Sequence, residues 1–360
     1  MKMTMPGRYH LQRFLYKAVK AKCEYALIEV TSQGVMQNRH KFINFDIGIF
    51  TNLQREHIEA HGSFEKYKNE KLRFFKHIEL SRRKINRNSG GVVKKRLIIN
   101  SDDECAQCFS DFKVDEKANF GLWESAGQKK EFSKSFIAKN FELGEETSFM
   151  TDKDHFVSPL HGKFNLYNIL ASVAFCRLEK IKTEEIQESL KKIDKIPGRM
   201  ELMEGGGLMT VIDYAHTPDS QEALYRAVLL LKKKEGKMLC LFGSAGGGRD
   251  KWKRPEMAKI AQKYCDVICI TNEDPYNEDP EKILDDIQKG MSPDFLKKEG
   301  VFYRILDRKD AIYKILSIAG KNDAVVFSGK GNERWIEKAG GKIPWNEKKT
   351  ALEALSKMNK

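Results

Sequence analysis

From residue 208 onward the chain repeats one pattern: a short apolar run, a polar cluster, then a stretch of helical period. LMTVIDY leads to a helix expected from Pro218, MLCLFG to one from Arg254, and DVICIT to one from Pro280. A further helix from Asp310 leads into DAVVFSG. Apolar runs alternating with helices are the signature of a parallel sheet buried on both faces. Crossovers in such sheets are right-handed. This half is therefore expected to be a Rossmann-like, doubly wound α/β domain.

The first half is less regular. Residues 8 to 21 put Leu11, Phe14, Leu15, Ala18 and Val19 on one face, as an amphipathic helix does. YALIEV (25–30) and FDIGIF (45–50) have the length of strands, and Phe64 to His77 reads as a helix. Residues 90 to 160 carry short runs, VVKKRLIIN, ANFGLWE and KSFIAKNFEL, expected as a β-rich insert. FNLYNILASVAFCRL reads as an apolar helix, and TEEIQESLKKI opens with a Thr/Glu capping pattern. IPGRM at 196–200 reads as a hinge. With 360 residues, too many for one typical core, the expected division is 1–196 and 197–360.

Composition excludes some classes. The net charge of +13 comes from lysines spread along the whole chain, with no basic block interleaved with aromatics. That favours anionic small substrates such as nucleotides over a nucleic-acid partner. No apolar run approaches about 20 residues, so no membrane partner is expected. MKMTMPGRYH is not a signal segment. Seven cysteines without framework spacing suggest reduced thiols and a cytoplasmic location. Cys105 and Cys108 form a single CxxC, short of the ligands that a zinc site needs.

Ligands of open α/β sheets sit beyond the carboxyl ends of the strands. Six polar clusters fall at such expected ends: EVTS, TNLQREH, DYAHTPD, GSAGGGRD, NEDPYNEDP and GKGNE. Each alone reads as a cap or turn; together, in both halves, they suggest a cleft between two sheets. GSAGGGRD lacks the G-x-G-x-x-G spacing of a dinucleotide fold, while its backbone N–H groups and Arg249 suit an anionic group. In TNLQREHIEAHGSFEKYKNEK, His57 and His61 lie four apart beside Glu56 and Glu59, with Lys71 beyond. On residue type alone Lys71 reads as a solvated helix lysine.

Taken in order, IEVTSQGVMQNRH, FTNLQREHIEAHGSFEKYKNEK, FNLYNILA, PGRMEL, VIDYAHTPDS, FGSAGGGRDKWKRPEM, TNEDPYNEDP and SGKGNE make the chain similar to the Mur ligase family. It most closely resembles the MurE branch, which extends UDP-N-acetylmuramoyl-dipeptide. The resemblance covers nearly the whole chain apart from the β-rich insert. It implies a partial central ATPase domain followed by the Rossmann-like C-terminal domain. The implied activity is a cytoplasmic, ATP- and magnesium-dependent acid–amino-acid ligase of peptidoglycan synthesis. ATP phosphorylates a peptide carboxylate, an amino acid's amine attacks the acyl phosphate, and phosphate leaves.

The resemblance also assigns residues. Glu29 and His57 are expected at metal positions, and Lys71, in the Y-x-x-x-K pattern from Tyr67, as a carbamate that binds metal or orients the phosphoryl group. Carbamylation needs a neutral amine, so neighbouring cations are expected to lower its pKa. Thr4, Ser32, Gln37 and Arg39 match positions for the UDP-sugar peptide. Asn168, Arg199 and Asp213 match nucleotide contacts, and Arg249, Asp274, Gly329 and Glu333 match the site of the incoming amino acid. On residue type alone Gly329 reads as a turn glycine and Asp213 as a helix cap.

Departures narrow the expectation. The family's phosphate loop, G-x-x-x-x-G-K-[ST], does not occur; the family places it upstream of the segment matching MTMPGRYHLQ. The chain is thus expected to begin midway through the ATPase domain. Gln33 and Asn332 stand where the family has histidine. Tyr276 stands where an arginine recognises the far carboxylate of diaminopimelate, so lysine, diaminopimelate or another amino acid stays open. Two alternatives remain beside the ligase. One is a non-catalytic remnant binding a UDP-sugar peptide or a protein partner; the other is a related ligase with a cyanophycin- or folate-type acceptor.

Overall fold

The computed structural model describes residues 4–56, 58–86, 90–122, 132–205 and 207–358. The chain divides into two compact units, one of residues 1–138 with 167–181, the other of 139–166 with 182–360. No helix among the described residues is long and apolar enough to cross a membrane.

The first unit begins with α1 (Arg8–Lys20) and α2 (Ser32–Met36), followed by β1 (Ile47–Phe50), α3 (Ile58–His61) and α4 (Phe64–Leu80). Then come β2 (Arg96–Asn100), α5 (Ala106–Ser110), β3 (Glu116–Gly121) and β4 (Lys134–Ile137). Most of α6 (Lys163–Leu178) completes it. The strands form a parallel sheet in the order β1-β2-β3-β4. Leu97, Ile98 and Ile99 of β2 are fully buried, as expected for a strand covered on both faces. On one side Leu97 and Ile99 pack with Phe50, Phe75, Ile78 and Phe109.

Three expectations for this half change. YALIEV forms no strand. Tyr25 instead donates its hydroxyl to Glu179 (2.7 Å) and packs edge-on against Phe175, so side chains tie the segment to α6 in place of a ladder. The amphipathic face of α1 exists, but only Leu11 is buried while Phe14 and Val19 stay exposed. A period identifies an apolar face and cannot say what covers it. Residues 90–160 are not one insert: β2, β3 and β4 are members of the parallel sheet.

The second unit opens with an antiparallel sheet, β5 (Lys139–Leu143), β6 (Thr147–Thr151) and β7 (Asp154–Ser158), beside α7 (Thr183–Lys191). The Thr/Glu capping pattern is not realised. Lys182 occupies the cap position, and Thr183 turns its hydroxyl to Asp154 (3.5 Å).

A six-stranded sheet follows. In chain order its elements are β8 (Glu201–Gly205), β9 (Leu208–Ile212), α8 (Pro218–Leu231), β10 (Met238–Phe242), α9 (Lys253–Tyr264), β11 (Val267–Ile270), α10 (Pro280–Gln288), α11 (Pro293–Leu296), β12 (Phe302–Arg304), α12 (Arg308–Ile318) and β13 (Ala324–Phe327). A hairpin of β14 (Trp335–Lys338) and β15 (Gly341–Pro344), then α13 (Glu347–Met358), close the unit. The strand order is β12-β11-β10-β13-β9-β8, parallel except for the edge strand β8. This is the doubly wound sheet the alternation predicts. The strand order reverses between β10 and β13, where such sheets bind ligands. Asp213 is not a helix cap, because the side chain of Thr217 caps α8.

The seven cysteines are not all reduced: Cys240 on β10 and Cys265 after α9 form a buried disulfide. Their separation of 25 residues has no framework spacing, and the βαβ crossover is what brings them together. Closing a loop of that size should stabilise the unit by roughly 3 kcal/mol. Cys265→Ser, or full reduction, is expected to lower the midpoint of thermal unfolding. Equal midpoints with and without reductant would contradict it.

Candidate functional site

In the second unit, polar clusters follow β9, β10, β11 and β13 at their carboxyl ends. The loop after β13 carries Lys330, sealed from solvent, with its ammonium 2.8 Å from Asp274 and 2.5 Å from Glu333. Burial works against that charge, but the two carboxylates overcome it and hold the ammonium above its ordinary range. Asp274 also accepts the N–H of Glu337 at 2.8 Å.

Around this pair the expected residues gather. Glu333 receives the hydroxyl of Tyr214 at 3.5 Å, and the guanidinium of Arg199 lies 4.5 Å from the Tyr214 ring. Asp213 accepts the N–H groups of Met200 and Ala215, both at 2.6 Å, and so pins the hinge beside β9. Burial pushes its carboxyl up, against those two bonds and the Arg199 charge. Gly198 and Gly331, both at positive φ, let the hinge meet the loop after β13. A Cβ on Gly198 would lie 2.2 Å from the Asn332 nitrogen. Arg249 is exposed in the Gly-rich loop, where Tyr276 helps hold its charge; the φ of Tyr276, 54°, is unusual for an aromatic residue.

Glu273, beside Asp274, is the residue sequence reasoning passed over. It is buried, and its Oε2 accepts no hydrogen bond among the described residues. That oxygen points at Gly329, where φ is 103° and a Cβ would sit 2.3 Å away. Gly329 is therefore more than a turn glycine, because it leaves room for a carboxylate. Burial raises the pKa of Glu273, opposed by the charges of Lys253, Lys330 and Arg308. Ser244, two residues past β10, is also buried, with a hydroxyl that has no partner among the described residues. Unsatisfied polar atoms at strand ends are what a site for a polar ligand exposes. The signal for Lys330 and Glu273 was present, since each lies in a polar cluster three residues past an apolar strand.

In the first unit, Lys71 on α4 lies in the field of Glu29, Glu56 and Asp103, its ammonium 5.3 Å from the Tyr67 ring. Its pKa is lowered, but burial is the cause; the three carboxylates oppose it. The neighbouring cations expected to lower it are thus replaced by desolvation. Asp103, which follows β2, was missed. Its carboxylate accepts the N–H groups of Leu53 and Cys105, each at 2.8 Å, while Asn100 donates to the Thr51 carbonyl at 2.7 Å. These bonds fix the loop leaving β1.

Ser32 opens α2 and meets His61 Nε2 at 3.1 Å, both buried. Arg39 donates to the Met5 carbonyl, next to Thr4. Thr4 and Gln37 are exposed, as is Asn168 on α6. His57 lies outside the described residues. Among the described residues no group of three His, Cys, Asp or Glu side chains could hold a metal ion, the Cys105–Cys108 pair included.

Two stability tests follow from these charges. A carboxylate whose folded pKa is raised contributes stability below its unfolded value of 4.5, and that contribution is lost as pH rises. Glu273→Gln should therefore stabilise the unit at neutral pH, by roughly 1–3 kcal/mol if the unpaired oxygen carries the cost. The gain should vanish in acid, as chemical denaturation at two pH values would show. Lys71 has the opposite sign: the folded chain releases its proton more readily than the unfolded chain. Stability should climb with pH through the window that ends near 10.5, and Lys71→Met should flatten that climb.

Residues 1–176 match the Mur ligase middle domain, and residues 198–331 match the Mur ligase glutamate ligase domain. The UDP-N-acetylmuramoyl-L-alanyl-D-glutamate--2,6-diaminopimelate ligase 1 of Clostridium acetobutylicum is 33% identical over 99% of this chain and 68% of its own length. The UDP-N-acetylmuramyl-tripeptide synthetase of Treponema denticola is 35% identical over 98% of this chain and 66% of its own. The chain thus spans about two thirds of these relatives. The crystal structure of the MurF ligase of Thermotoga maritima in complex with ADP shares the fold. Its TM-score is 0.61, at 17% identity over 90% of this chain and 64% of that one. The chain belongs to the Mur ligase family.

Proposed function

We propose that this chain carries out, or forms the larger part of an enzyme that carries out, ATP-dependent addition of an amino acid to UDP-N-acetylmuramoyl-dipeptide through an acyl phosphate. Residues 1–196 act as the central-domain portion and 197–360 as the C-terminal domain. The observation that carries this reading is the cluster at the carboxyl ends of β11 and β13. There Glu273, Asp274, Gly329, Lys330 and Glu333 meet, in a chain whose relatives are named for this ligation.

The chemistry suits an amino acid. A zwitterion brings an ammonium and a carboxylate into one small volume, and the cluster offers both signs. The open oxygen of Glu273 and the carboxylate of Glu333 take the ammonium, while Arg249 takes the carboxylate. A carboxylate with a raised pKa is also suited to accept the proton the amine gives up on attack. Tyr276 cannot form a bidentate pair with a second carboxylate, so a lysine-like side chain fits as well as diaminopimelate.

In the first unit, the lowered pKa of Lys71 eases formation of the amine, the form that captures carbon dioxide, and Ser32, held by His61, faces the UDP-sugar peptide with Thr4, Gln37 and Arg39. Asn168, Arg199 and Asp213 serve the nucleotide. Glu29 and the Lys71 carbamate offer oxygen donors, as a hard cation requires, and are the residues that would hold magnesium. Bound there, magnesium would neutralise phosphate oxygens.

Calorimetric titration tests the reading directly. Lysine and meso-diaminopimelate should bind the chain, and Arg249→Ala should weaken binding about tenfold to a hundredfold, the worth of one charge-assisted hydrogen bond. Magnesium-ATP titrated in parallel, with phosphate release on adding UDP-N-acetylmuramoyl-dipeptide, reports the full reaction. If neither amino acid binds at millimolar concentration, the proposed role of the β11–β13 cluster is wrong.

A further inference from the structure

Arg308 opens α12 from the opposite side of the site, and it is buried along its whole length. Its Nε donates to Glu347 at 2.9 Å, its Nη1 to the Asn272 carbonyl at 3.2 Å, and its Nη2 to the Ser328 carbonyl at 3.0 Å. Glu347 belongs to α13, is itself sealed from solvent, and is fixed by the indole N–H of Trp345 at 2.6 Å. Asn272 directly precedes Glu273, and Ser328 directly precedes Gly329. One planar cation therefore holds the backbone immediately before each of the two residues that face one another across the amino-acid cluster.

We infer that Arg308 is a positioning residue that sets the separation of the β11 and β13 loops, and through it the fit of the Glu273 carboxylate against Gly329 within the amino-acid cluster. Its assignment to an amino-acid site rests on the ligase reading above; the clamp itself rests on geometry alone. The gap has little tolerance, because one added carbon on Gly329 would already overlap the Glu273 carboxylate. Arginine suits the task because its donors form a rigid fork able to span two carbonyls and a carboxylate at once. Lysine, a single point charge, reaches the carboxylate or a carbonyl but cannot bridge both strand ends. A buried ion pair is weak evidence for stability, since an apolar pair of similar volume often replaces it without loss. The two carbonyl bonds give Arg308 a reason to be there.

Arg308→Lys keeps the cation beside Glu347 and removes the bridge. Hydrogen–deuterium exchange should then rise at least tenfold in peptides covering 271–279 and 328–334, with protection in the interiors of β10 and β11 unchanged. The affinity for whichever amino acid the wild-type chain binds should fall about tenfold. Should Arg308→Lys fail to fold, Arg308→Met with Glu347→Gln removes both charges and keeps an acceptor for Trp345, and the same two peptides decide. Unchanged exchange in both loops overturns the inference. So does a uniform rise across the second unit, which would mean that the pair merely holds the fold. A wild-type chain that binds no amino acid would overturn the ligase reading instead, with the exchange result still deciding what Arg308 does.

Discussion

Lys330 has no solvent to stabilise its charge, and the second unit is organised around that fact. An ammonium buried this completely must be met by anions, which draws Asp274 from the loop after β11 and Glu333 from the loop after β13. On the loop after β13, Glu273 crowds Gly329, and the hinge and Tyr214 crowd Gly331, while that loop's backbone in turn crowds Gly198, so none of the three has room for a side chain. Tyr214 and Arg199 then extend the same network toward the hinge. One desolvated charge thus ties the loops after β11 and β13 together.

The first unit holds a lysine with the opposite outcome. Lys71 also lies among carboxylates, Glu56, Glu29 and Asp103, but there desolvation outweighs them and lowers the pKa of the amine. At Lys330 direct contact with two carboxylates wins. The difference is one of distance: a carboxylate in contact offsets the burial of a charge, and one acting only through the field does not. Two lysines of one chain are thereby set to different protonation tendencies, one as a fixed cation and one as a potential nucleophile.

How much of this was legible in the sequence depends on the range of the interaction. The strands and helices after residue 208 were legible, because a buried parallel strand writes its own apolar run and its helix follows with a period. So was the placing of polar clusters at strand ends. YALIEV was misread because its apolar pattern is equally satisfied by packing Tyr25 against Phe175 and Glu179, more than a hundred residues away. The Cys240–Cys265 disulfide and the Arg308–Glu347 pair escaped for the same reason, since topology alone creates their proximity. Lys330 was quoted within GKGNE but not singled out, and Asp103 was passed over altogether. A lone Asp after a strand looks like a cap, and a lysine between glycines looks like a solvated loop.

Some local costs lie within the site itself. Glu273 keeps an oxygen buried without a hydrogen bond, Ser244 keeps a buried hydroxyl without one, and Tyr276 holds a backbone conformation that side chains disfavour. Each costs stability that a different residue would restore: Gln for Glu273, Ala for Ser244, Gly for Tyr276. All three lie in the loops that follow β10 and β11, while the apolar core beneath them is closely filled. Comparable unpartnered atoms occur elsewhere in both units, but Ser244 and Glu273 lie in loops at the carboxyl ends of a doubly wound sheet, where a polar ligand would complete the hydrogen bonds that the described residues leave open.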